Sequence, residues 1–127
     1  MFTLSDSNTF YLYPYPTDMR KSFYSLSGIV QNEMRQDIQQ GDAFIFVNRS
    51  LTSMKILHME FGGLVIYNMK LEQGRIQLPD MELADSAVSR ATQWSELVMM
   101  THGLSKSDVH QHPRWIPQKK NPPKAVK

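Results

Sequence analysis

AFIFVNRSLTSMKILHMEFGGLVIYNMKL, Ala43 to Leu71, is the stretch on which the fold turns. AFIFVN is aromatic and β-branched, NRSLTS breaks it with turn-forming residues, and MKILHM resumes an apolar run, the pattern of a hairpin. Glu60-Phe61-Gly62-Gly63 supplies a second turn, because glycine adopts positive φ freely, and LVIYNMKL gives a third strand. Three consecutive antiparallel strands, a β-meander, are therefore expected.

Upstream, Phe10, Leu12 and Tyr15 alternate with their neighbours in FYLYPYP, a short extended segment that Pro14 and Pro16 confine to an edge or cut off. Thr17 then suits an N-cap, with Asp18 placing negative charge in the first helical turn. Met19, Phe23, Leu26, Val30 and Met34 follow at spacings of three and four, which lines them along one helical face. This predicts a helix from Thr17 to about Met34, lying over one face of the sheet. Downstream of Pro79, the run DMELADSAVSRATQWSELVMMTHG carries Val88, Ala91, Trp94, Leu97, Val98 and Thr101 at the same spacings. Asp85 or Ser86 can cap it and Gly103 can end it, so a second helix is expected from about Ser86 to Thr101. The expected class is α+β: an antiparallel sheet of three or four strands, covered by the N-terminal amphipathic helix, with a second C-terminal helix and an irregular basic tail. Residues 1–104 would form the one compact domain. Residues 105–127 hold four of the seven prolines and read as a Pro/Lys-rich flexible tail.

Composition narrows the function classes. With 41% apolar and 20% charged residues the chain reads as globular, and its 127 residues suffice for one real core. It has no cysteine, which excludes a disulfide framework, a thiolate metal site and a cysteine nucleophile. The apolar runs are too short for a bilayer span and the N-terminus lacks a signal-like pattern, so the expected address is the cytoplasm. Net charge is +2, unevenly spread: up to His110 there are nine Lys/Arg against twelve Asp/Glu, whereas Gln111 to Lys127 carries five bases and no acid. A basic tail favours polyanions through counterion release, although solvation alone also explains one.

The search for reactive groups ends without a catalytic set. His110 and His112 lack the further ligands that a defined zinc site needs. His58 reads as a half-buried or surface strand histidine, and His102 as a helix-end one favoured by the dipole. There is no GxSxG elbow and no Gly-rich phosphate loop. Asp18, Asp37, Asp42, Glu60 and Glu72 are scattered, with no spacing that would converge them on two metals. No cofactor or metal is expected, and the residues read as a binding module.

TDMRKSFYSL, then FIFVNRSLTSMKIL, then GGLVIYNMKLEQGRIQLP, in this order and spacing, closely resemble the small TnpB accessory protein of the insertion sequence 66 family of bacterial mobile elements. The resemblance covers about Leu12 to Pro79, and TDMRKSF with KLEQGR are its most specific parts. It implies a non-catalytic accessory protein of transposition, encoded beside a larger transposase that carries the acidic residues for DNA cleavage and joining. The family's characteristic positions fall here on Asp18, Met19, Arg20, Lys21, Phe23, Phe44, Phe46, Arg49, Lys55, Leu71, Glu72, Gly74 and Arg75. His58 and Met59 stand where family members often have tryptophan, and the chain after Ser105 matches nothing in the pattern.

Two functional expectations follow. In the first, Arg20, Lys21, Arg49, Lys55, Lys70, Arg75 and the tail bases Lys119 and Lys120 contact DNA phosphates at the element ends, setting affinity more than sequence choice. In the second, the chain is an adaptor for the transposase with no direct DNA contact, using Tyr11, Tyr13, Phe61 and Trp94 as surface.

Overall fold

The computed structural model describes residues 3–78, 90–92 and 101. Its elements are β1 (Phe10–Leu12), α1 (Phe23–Asn32), a 3-10 turn (Ile38–Gln40), β2 (Ala43–Val47), β3 (Ser53–Glu60), β4 (Gly63–Lys70) and β5 (Arg90–Thr92). They form one mixed sheet in the order β4-β3-β2-β1-β5. β3 runs antiparallel to both β2 and β4, with Phe46 opposite Lys55 and Lys55 opposite Asn68. β1 lies parallel to β2, Phe10 opposite Ala43, and antiparallel to β5, Phe10 opposite Thr92.

The turns follow from local chemistry. Asn48 Oδ1 accepts from the N–H groups of Thr52 and Ser53 at 2.9 and 3.0 Å, which closes the β2–β3 loop with a side chain in place of a backbone acceptor. In the β3–β4 turn, Phe61 and Gly62 both have positive φ, 50° and 82°. Two positive-φ residues between paired strands match the right-handed strand twist. Glycine does this without strain, whereas a phenylalanine there brings Cβ against its own carbonyl, at about 1–2 kcal/mol.

Both faces of β2 are covered, and all five of its residues are buried. One face places Ala43, Ile45 and Val47 with Phe10, Leu12, Met54, Ile56, Ile76 and Leu78. The other packs Phe44, Phe46 and Leu57 against Leu26, Ile29, Val30 and Met34 of the helical segment, and against Tyr13. Phe44 and Phe46 are fully buried, each contributing about 2–3 kcal/mol by leaving water.

Four corrections to the sequence reading arise here. The sheet is mixed and five-stranded, not an antiparallel meander of three or four strands. The N-terminal helix starts at Phe23, not Thr17, and its ten residues do not by themselves cover the sheet, since Tyr13, Tyr15, Met19 and Ile38 share that face. Thr17 is buried and its N–H donates to Val47 O at 2.9 Å, so the chain there continues alongside β2 and cannot yet coil. Where the helix does begin, the Ser22 N–H donates to Ser25 Oγ at 2.9 Å, satisfying one of the donors a helix start leaves unpaired. Finally, the second helix expected over residues 86–101 is overturned at 90–92, which are strand β5. The rest of that segment, like the tail, lies outside the described residues.

Candidate nucleic-acid interface

The β2–β3 loop, the end of β4 and the approach to α1 meet at one end of the sheet. Thr17 N–H bonds Val47 O, Leu71 N–H bonds Thr52 O at 2.8 Å, and Ile76 N–H bonds Leu51 O at 2.7 Å. These backbone ties gather Arg20, Lys21, Arg49, Lys55, Lys70 and Arg75 at that end, with Asp18 and Glu72 as the acids there among the described residues. The opposite end carries Asp6, Asp37, Asp42 and Glu60 against Arg35 alone among the described residues, apart from Glu33 at the end of α1, which accepts the Tyr13 hydroxyl. Spacing along the chain gave no sign of this segregation, because the strand order creates it.

The six bases differ in their engagements. Arg20 forks onto Asp18, with Nη2 to Oδ2 at 2.7 Å and Nε to both carboxylate oxygens at 3.1 Å. Asp18 Oδ1 also accepts the Arg20 N–H at 2.9 Å, so Asp18 closes a turn and does not charge a helix start. The guanidinium hydrogen bond holds the Asp18 carboxyl well below the usual carboxylate range. Lys55 Nζ donates to Lys21 O at 2.7 Å, pinning the segment that leads into α1. Lys55 and Lys70 project from the same face, since residues opposite each other in an antiparallel ladder share one and Lys55 faces Asn68, two residues before Lys70. Lys21, Lys70, Arg49 and Arg75 are exposed.

The remaining family-pattern residues divide by environment. Phe44 and Phe46 are core, Met19 and Leu71 are partly buried against it, and Gly74 has a φ of 76°. Glu72 is exposed, and Phe23, expected in the apolar stripe, is 42% exposed at the start of α1, whose buried residues are Leu26, Ile29 and Val30. Of the adaptor surface, Tyr13 is buried and donates its hydroxyl to Glu33, and Tyr11 stacks on Phe44. Burial, more than its Glu33 partner, pushes the Tyr13 hydroxyl far above its ordinary value. Phe61, at 83% exposed, is surface, and so is Tyr24 at 89%, which the sequence reading did not single out. Lys119, Lys120 and Trp94 lie outside the described residues.

A second polar cluster sits within the sheet near its acidic end. His58 and Glu60 are both buried, and His58 Nδ1 lies 2.9 Å from Glu60 Oε2. His58 Nε2 is 3.1 Å from Gly41 O, and Asn8 Nδ2 donates to the same carbonyl at 3.2 Å. The Tyr67 hydroxyl donates to Glu60 Oε2 at 2.6 Å. Burial opposes the charge on Glu60, but the bonds from Tyr67 and His58 outweigh it and hold the carboxyl below its ordinary value. His58 is thus an interior residue, not the half-buried or surface one its strand suggested. Its spacing from Glu60 was the available signal, since residues two apart in a strand share a face. The cluster ties the segment before β1 to the sheet, which is a structural task. Among the described residues no three of His, Cys, Asp or Glu gather as metal ligands, and no helix is long and apolar enough to cross a membrane.

Fold and charge together define a small mixed-sheet domain with bases at one end and acids at the other. The model of the IS66 Orf2-like protein family matches residues 8–111, and the chain belongs to that family. The resemblance carried by TDMRKSF and KLEQGR is borne out, and membership makes this a transposition-associated accessory protein. The chain is 29% identical over 103 residues to the uncharacterized protein y4hO of Sinorhizobium fredii (strain NBRC 101917 / NGR234), covering 81% of this chain and 84% of that relative. No solved structure matches it.

Proposed function

We propose that the protein is a non-catalytic subunit that assists a separate transposase by gripping DNA phosphates with the basic end of its sheet. The observation that supports this is the convergence, among the described residues, of six Lys/Arg from four separate chain segments on one end, against two acids. Phosphate contacts of this kind orient a protein on a duplex without reading bases. Lys21 and Lys70 are the cations best suited to the task, because Arg20 is neutralised by Asp18 and Lys55 is held by Lys21 O. The larger transposase encoded by the same element would supply the cleavage and joining chemistry.

A salt titration of binding to element-end DNA and to an unrelated duplex tests the reading. Each phosphate contact contributes about 0.9 to the slope of log K against log salt, so Lys21→Ala plus Lys70→Ala should lower the slope by about 2 on both duplexes. Binding by wild type whose slope the double variant leaves untouched would remove the basic end from the account. Failure of the folded protein to bind either duplex would favour the adaptor reading, which the exposed Phe61 and Tyr24 support. Capture of the transposase by wild type and its loss with Phe61→Ala would then carry that reading.

A further inference from the structure

β4 is an edge strand, and its outer side has the features of a pairing surface. It spans eight residues, GLVIYNMK, with no proline and no charge before Lys70. Native edges are usually blunted by prolines, inward charges, bulges or shortness. The opposite edge, β5, is three residues long. β4 pairs with β3 in unbroken register from Gly63 to Lys70, and among the described residues no strand pairs with its other side.

The register identifies which backbone groups face outward. Leu71 N–H donates to Thr52 O, so that opposed pair is a hydrogen-bonded one. Hydrogen-bonded and open pairs alternate along an antiparallel ladder. Gly63, Val65, Tyr67 and Met69 therefore point their N–H and C=O groups at β3, and Leu64, Ile66, Asn68 and Lys70 point theirs away.

We propose that this edge pairs with β4 of a second copy of the chain, antiparallel and about a twofold axis at Tyr67, joining two sheets into one. In that register Leu64 faces Lys70 of the other copy and Ile66 faces Asn68, so all four outward residues of each strand are used. About eight backbone hydrogen bonds close across the seam, two for each hydrogen-bonded pair. Charge selects the direction. Parallel pairing sets Lys70 beside Lys70 and basic end beside basic end. Antiparallel pairing sets the basic end of each copy beside the acidic end of the other, six bases and two acids facing four acids and one base among the described residues. The half-buried side chains of Leu64, Val65, Ile66 and Tyr67 then gain a flanking strand.

Sedimentation of the full chain over a concentration series is the test, with Asn68→Pro as the variant. Asn68 has an exposed side chain and, by the alternation above, an N–H that β3 does not use. Proline there leaves the β3 ladder intact while removing one outward donor and crowding the partner strand. Wild type is expected at twice 14.7 kDa, dissociating as salt screens the paired ends, and Asn68→Pro as a folded monomer with an unchanged circular dichroism spectrum. A monomeric wild type, or a folded Asn68→Pro that stays dimeric, overturns the proposal. Should Asn68→Pro fail to fold, a spin label on Lys70→Cys decides, since the chain has no other cysteine. The twofold register separates the two labelled backbones by about 20 Å, six residues of strand rise plus one strand spacing. A dimer with the labels much farther apart uses another surface and refutes the pairing.

Discussion

Replacing Tyr67 by phenylalanine removes one hydroxyl from a buried charge and leaves the ring in place. That hydroxyl donates to Glu60 Oε2 at 2.6 Å, and Glu60 is only 5% exposed, so water cannot readily take over the bond. A hydrogen bond to a charged group contributes about 1.5–3 kcal/mol, and the central figure of about 2 kcal/mol applies because His58 still serves the same oxygen. For a domain of this size the loss corresponds to a fall of about 10 °C in Tm. The effect has a pH signature. The Glu60 carboxyl is held below its ordinary value of 4.5, so its stabilising contribution is complete above that pH and is lost as pH falls through the lower folded value. The gap between wild type and variant should therefore be widest near neutrality and shrink by about half in acid, where the hydroxyl meets a neutral carboxyl. Thermal melts followed by circular dichroism across pH 3–7 measure both quantities. The control is Tyr24→Phe, whose hydroxyl is on an 89% exposed ring and whose Tm should hardly move. A Tyr67→Phe variant within 2 °C of wild type at neutral pH, or a gap independent of pH, would refute the assigned role of the bond.

Other substitutions probe the core, the turns and the basic end. Phe44→Ala empties a fully buried site beneath α1 and should cost about 3–5 kcal/mol, readable as a drop in the urea midpoint. Asp18→Ala releases the Arg20 guanidinium from its ion pair, so DNA affinity should rise and its salt dependence steepen; unchanged binding would mean that Arg20 does not meet the duplex. Phe61→Asn suits the positive φ of the β3–β4 turn better and removes no buried contact, so Tm should rise by a few degrees, about 1 kcal/mol, with a fall counting against the strain argument.

The parts of the fold that were legible in the sequence are those set by neighbours along the chain. β2, β3 and β4 are bounded by Asn48-to-Ser53 and Glu60-to-Gly63, turns whose chemistry is local. The class was not legible, because it depends on pairings between distant residues. Nothing in Arg90-Ala91-Thr92 announces that it pairs with Leu12 to Phe10, and helical periodicity through Val88, Ala91 and Trp94 pointed the other way. Likewise, Thr17 and Asp18 carry a sound capping signal, but the bond from Thr17 N–H to Val47 O holds the chain extended until Ser22. For the candidate site, residue types could be named and their company could not. Which bases share an end is a result of strand order, and the engagement of Arg20 by Asp18 and Lys55 by Lys21 O appears only in three dimensions.

The position of β1 bears on the order in which the molecule assembles. This three-residue strand lies between partners 33 and 82 residues away, Ala43 and Thr92 for Phe10, whereas β2, β3 and β4 are joined by short loops. Loop closure over such separations is slow compared with zipping a hairpin. The meander should therefore gain amide protection first in a pulse-labelling experiment, and simultaneous protection of Phe10 to Leu12 would contradict this order. Until β1 docks, the far edge of β2 is also bare. A chain emerging from the ribosome thus leaves the outer edge of β1 uncovered until Arg90 to Thr92 are available to pair with it, a window in which misassociation competes with folding.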